Sequence, residues 1–109
     1  MPADQQIAVF LRDKVLAQAM TSDCEYVEGS WYFPDQALVE RERFSQSDTH
    51  TQCPWKGEAS YYNYQSDEGV IKDIAWYYPR PKNGAEKVEG RVAFYVGKVD
   101  GLKLGEPSI

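Results

Sequence analysis

A chain of 109 residues with a formal net charge of −5 has the length of one domain. Its acidity argues against nucleic acid or an anionic membrane as partner, since both require clustered Lys and Arg. No apolar run reaches the length of a transmembrane helix, and the start, MPADQQIAVF, lacks the basic and apolar regions of a secretory signal.

These features predict a cytoplasmic protein folded as a single domain over 1–109, with its core over about 5–104 and a tail at 105–109. In a reducing compartment its two cysteines, Cys24 and Cys53, are expected as free thiols. Cys24 reads as a small half-buried side chain in a strand. Eight Tyr, three Trp and abundant Val favour β structure.

Residues 6–20 admit two readings. As one helix capped by Asp4, they place Ile7, Phe10, Leu11, Val15 and Leu16 near one stripe; as two strands, they turn at Arg12-Asp13. Residues 24–33, CEYVEGSWYF, are rich in β-formers, with a bulge or bend at Gly29. Pro34-Asp35 opens a turn, DQALVERERF holds a short helical turn, and Glu40 to Arg43 reads as a solvated face. Ser45 to Gln52 is polar and unpatterned, which predicts a loop.

Cys53-Pro54-Trp55-Lys56-Gly57 is the least average stretch of the chain. The proline ring pushes Cys53 out of the α region and fixes its own φ, while Gly57 admits positive φ. A rigid bend results, feeding a hairpin of Glu58–Gln65 and Val70–Tyr78 closed at Ser66-Asp67-Glu68-Gly69. With Gln65 opposite Val70, uninterrupted pairing sets Tyr61 against Ile74 and Ala59 against Trp76. Tyr61, Ile74, Trp76 and Tyr78 then share one face. Pro79-Arg80-Pro81 ends the strand, Lys82 to Glu86 is a turn-rich loop, and Val88–Val96 with Lys98–Leu104 reads as a last strand pair around Gly97.

The run Thr51-x-Cys53-Pro54-Trp55-Lys56-Gly57-x-Ala59-Ser60-Tyr61-Tyr62 is followed by Ala75-Trp76-x-Tyr78-Pro79-x-Pro81 and Gly90-x-Val92-Ala93-Phe94-Tyr95. With the upstream Trp31-Tyr32-Phe33-Pro34, these motifs resemble the family of small bacterial and plant domains called domain of unknown function 427, over roughly residues 5 to 100. The resemblance implies a mainly β, compact single domain of antiparallel strands, β-tent-like, with little helix. It favours the hairpin reading of 6–20. It implies no established activity, and the nucleotidyltransferase label attached to the family finds no supporting residues here.

Among chemistries, a metal site is weak. His50 and Cys53 stand in H-x-x-C spacing, but tetrahedral zinc wants four ligands and the chain offers one His and two Cys without a CxxC pair. No metal and no cofactor are therefore expected. Cys53 as a nucleophile needs an adjacent base or positive field, for which His50 and Lys56 are the candidates. Phosphate-binding glycine loops and the G-x-S-x-G elbow are absent, and no carboxylate pair stands out. The aromatic residues are the stronger signal: both faces of the hairpin carry tyrosines, so some line a surface or pocket while others fill a core. The expected site is a pocket of Cys53, Lys56, Tyr61, Trp76 and Tyr78 that binds a small polar or anionic ligand. The alternative is an enzyme with Cys53 or Lys56 as its reactive group.

Overall fold

The computed structural model describes residues 4–106, and its regular elements there are strands joined by turns, some of them three-residue 3-10 turns. The domain is compact, mainly β and antiparallel throughout. Strands β1 (Gln6–Leu11) and β2 (Lys14–Met20) form the expected hairpin around Arg12-Asp13. The strand reading prevails over the helix because β1 has a pairing partner on each edge: β2 on one side, the last strand, β9 (Leu102–Gly105), on the other. Ile7, Val9 and Leu11, on alternate positions, then enter the main core together. Arg12 takes φ 54° at the tip, and its N–H donates to the Gly101 carbonyl at 2.8 Å. Of the predicted tail, Gly105 is the last residue of β9, and 107–109 lie outside the described residues.

The second sheet has six strands. β3 (Glu25–Val27) and β4 (Ser30–Pro34) form a hairpin whose tip, Glu28-Gly29, has φ of 52° and 82°, as tight hairpin turns require. Cys24 is buried just ahead of β3, outside the strand. The remaining strands are β5 (Phe44–Cys53), β6 (Gly57–Ser66), β7 (Gly69–Tyr77) and β8 (Arg91–Phe94), in the order β3-β4-β8-β7-β6-β5.

Three expectations are corrected. Residues 45–52 are strand, not loop. β5 is an edge strand with much of its side-chain surface in water, so its polar composition hides it. The two terminal segments do not pair with each other: β8 inserts between β4 and β7, and β9 crosses to β1 in the other sheet.

The third correction concerns register. Gln65 does oppose Val70, with Asp67-Glu68 as the tip, but Lys72, Asp73 and Ile74 together face Asn63. Beyond that bulge Tyr61 opposes Trp76, and Ala59 does not. Asp73 sits at φ 57°, and its N–H donates to Asn63 Oδ1 at 3.0 Å. Ile74 is thereby turned into the core between the sheets, while Tyr61, Trp76 and Tyr78 keep a common face.

β5 bulges in the same way, with Ser47, Asp48 and Thr49 spanning one residue of β6. Thr49 Oγ1 donates to Asp73 Oδ2 at 2.7 Å, joining the two bulges across β6.

The six-stranded sheet therefore buries side chains on both faces. Its inner row, Phe33-Val92-Tyr77-Ser60, faces the three-stranded sheet, where Leu16, Ile74, Phe94 and Leu102 join one core. Its outer row, Tyr32-Ala93-Trp76-Tyr61, packs with Ala59, Tyr78 and Val88.

Ala93 is fully buried between Tyr32 and Trp76, whose rings meet edge to face at 6.1 Å. Its small size is what lets them meet. Ala93→Leu should therefore cost about 1–3 kcal/mol by overpacking, read as a lower urea midpoint. Unchanged stability would contradict the packing described.

Candidate functional site

The 53–57 corner is built as its residues dictate. Cys53 pairs with Gly57 across a turn of Pro54, Trp55 and Lys56. Gly57 takes φ 110°, and a Cβ there would meet the Arg80 carbonyl oxygen at 3.3 Å, so glycine is required on two counts. The 79–85 segment is tied to the corner: Lys82 N–H donates to the Lys56 carbonyl and Lys82 Nζ to the Pro54 carbonyl, each at 3.0 Å.

Lys56 is the unusual member. Only 6% of it is exposed, although lysine is almost never buried without a partner. Its ammonium lies 5.2 Å from the Trp55 ring centroid and 5.4 Å from that of Tyr78, within cation–π range. It is ion-paired with Glu28 Oε1, while Trp55 Nε1–H donates to Glu28 Oε2 at 3.0 Å. Both oxygens of this carboxylate are held, yet the Glu28 side chain is 54% exposed.

The electrostatics follow. Burial resists the charge on Lys56, but the Glu28 hydrogen bond and the neighbouring Tyr32 and Cys53 outweigh it, and its pKa is raised. Glu28 is drawn below the usual carboxylate range, first by Lys56 and then by Trp55. Burial pushes the Cys53 thiol up, but the backbone N–H groups of Lys56 and Trp55, with the Lys56 charge, overcome it and leave it lowered. Burial pushes the Tyr78 hydroxyl up, and Tyr32 and Cys53 add to this.

Above the corner stand the outer-face aromatics. Trp76 Nε1–H donates to Tyr32 Oη at 3.1 Å, and its ring lies 4.4 Å from that of Tyr95. Tyr95 stacks on Tyr61 with planes 4° apart, and Tyr61 Oη shares a 2.8 Å hydrogen bond with Thr51 Oγ1.

The fold thus gathers Cys53, Tyr61, Trp76 and Tyr78 into one cluster, and Lys56 reaches it through Tyr78. Tyr78 also lines a surface cleft of about 370 Å³ bounded by Asp35, Pro79 and residues 89–92. His50 is not brought in. It points to the opposite face of β5 from Cys53, with Nδ1 3.2 Å from Ser60 Oγ, so it serves neither as base for that thiol nor as a second ligand beside it. The residue missed from sequence is Glu28. It lies 28 positions from Lys56, and no local pattern joins an acid at a hairpin tip to a lysine in a distant turn.

The family model for domain of unknown function DUF427 (NTP_transf_9) matches residues 1–105. The chain belongs to this family. No curated protein matches it. For this DUF427 domain, membership assigns no reaction, so chemistry rests on the corner itself.

The Glu28 clamp is directly observable. With its folded pKa depressed, Glu28 contributes stability that is present above its unfolded pKa and lost as pH falls through the folded value. The Trp55 indole N–H resonance should therefore titrate with a midpoint below 4.5, the ordinary glutamate value, and Glu28→Gln should remove the transition. A midpoint at or above 4.5 would mean that the clamp does not form.

Proposed function

We propose that this domain binds a small ligand carrying an anionic group and an apolar body at the 53–57 corner. The ligand's anionic group takes the place of the Glu28 carboxylate, and its body lies against the exposed Trp55 ring at the edge of the Tyr78 cluster. One observation carries the reading. A lysine only 6% exposed is neutralised by a half-exposed glutamate on a hairpin tip, and not by an acid of the core. Lys56 Nζ and Trp55 Nε1–H are two donors already set for one planar or tetrahedral anion, backed by aromatic rings. The residue that fills them sits where it can leave: Glu28 stands at a two-residue hairpin tip with its side chain 54% exposed, so side-chain rotation alone vacates the cradle.

Phenyl phosphate is a suitable probe, followed at the Trp55 indole N–H resonance. It should bind saturably, about tenfold more tightly to Glu28→Gln once the internal competitor is neutral, and not at all to Lys56→Met. An indole signal unmoved in both the native protein and Glu28→Gln would refute the reading.

The lowered Cys53 thiol supports a second reading, an enzyme acting through that sulfur. Cys24, pushed up to about 11 by burial, is its internal control. A pH profile of iodoacetamide labelling in which Cys53 reacts at neutral pH favours the enzyme. Labelling at Cys53 only near pH 9.0, the ordinary thiol value, leaves the binding domain alone.

A further inference from the structure

We infer that Arg91 forms a second, separate recognition site for a small planar carboxylate. The cleft concerned, about 370 Å³, is lined among others by Asp35, Tyr77, Tyr78, Glu89, Arg91 and Val92, a size within the usual range for small-ligand pockets. Arg91 begins β8 opposite Pro34, and the cleft is framed by the Asp35 N–H donating to the Gly90 carbonyl at 3.0 Å.

The guanidinium is what marks the site. Arg91 is half-buried, and its Nη1 donates to the Lys87 carbonyl at 3.0 Å. Its Nε is buried and has no partner among the described residues. An unmet buried donor is destabilising. Arg12, Arg41 and Arg43 each have a carboxylate partner, whereas Arg91, like the exposed Arg80, has none among the described residues. The acids near it do not supply one: Asp35 is engaged by Arg41 at 3.4 Å, and Glu89 and Asp23, the latter lining a neighbouring cleft with Arg91, are exposed.

With Nη1 committed, the edge formed by Nε and Nη2 is the one that a carboxylate engages with two parallel hydrogen bonds. Because Nε is covered, taking a ligand in this way requires the side chain to shift toward the cleft, and that shift is the reorganisation the site must supply. Tyr77, backed on one face by Tyr62 at 4.5 Å, gives the cleft an aromatic wall. That wall suits a flat apolar body attached to the carboxylate.

The test uses benzoate and its neutral counterpart benzamide, followed on the Arg91 Nε–H resonance of the intact protein. Millimolar benzoate should shift that resonance saturably, together with the Gly90 and Val92 amides, and benzamide should bind about tenfold more weakly. Arg91→Lys should weaken benzoate by about tenfold and Arg91→Met abolish it, while Lys56→Met should leave it unchanged. If Arg91→Met does not fold, the benzoate and benzamide comparison on the native protein decides alone. The inference is overturned if benzoate fails to move the Arg91 signal, if benzamide moves it equally, or if the response is lost in Lys56→Met, which would assign it to the 53–57 corner.

Discussion

The paired bulges on either side of β6 are the constraint on which the rest depends. Aspartate enters the left-handed region more readily than most residues, and Asp73 is held there from two directions. Asn63 accepts its N–H, and Thr49, itself in the bulge of β5, donates to its carboxylate. Each bulge adds residues opposite one position of β6, so side chains beyond it return to their original faces instead of inverting. Ile74 is thereby available to the inner core while Tyr61 meets Trp76 on the outer face. Without that displacement one of the two faces would lose its filling.

A six-stranded sheet with a three-stranded partner has one face covered by sheet and another to be covered by something else. Here the outer face is filled by its own aromatics, by Val88 of the segment after β7, and by the 53–57 corner. That arrangement explains why a lysine is found inside. The Lys56 stem packs where an apolar residue could, and the charge at its end must then be satisfied. It is met from the β3–β4 tip, which ties the first hairpin of the large sheet to the turn between β5 and β6. The same contact that closes the fold at this point is the one from which the proposed binding function starts.

What could be read from the chain were features set by neighbours in sequence. The Ser66–Gly69 turn with Gln65 opposite Val70, the strand end before Pro79 and the rigid corner at Gly57 follow from local backbone chemistry, whereas the Arg12-Asp13 turn was one of two local readings, favoured over a helix by the family resemblance. Features set by distant partners were hidden. Nothing in Lys72-Asp73-Ile74 signals a bulge, since its cause lies in Asn63 and Thr49. Edge position conceals β5, and the passage of β9 into the other sheet depends on pairing with the first strand. For the site, the common face of Tyr61, Trp76 and Tyr78 was legible from strand alternation because the bulge preserves parity at those positions. The burial of Lys56 was not, because lysine is ordinarily a solvent residue and Glu28 is remote in sequence.

The register of the β6–β7 hairpin is the point at which this account is most exposed, and cross-strand nuclear Overhauser contacts between backbone protons read it directly. The bulged register predicts contacts linking Tyr61 with Trp76 and Tyr62 with Ala75, together with Gln65 and Val70 near the tip. Backbone contacts linking Tyr61 with Ile74 and Ala59 with Trp76 would show an uninterrupted ladder. Such a ladder would turn Ile74 out of the inner core onto the face of Tyr61 and contradict the bulged account.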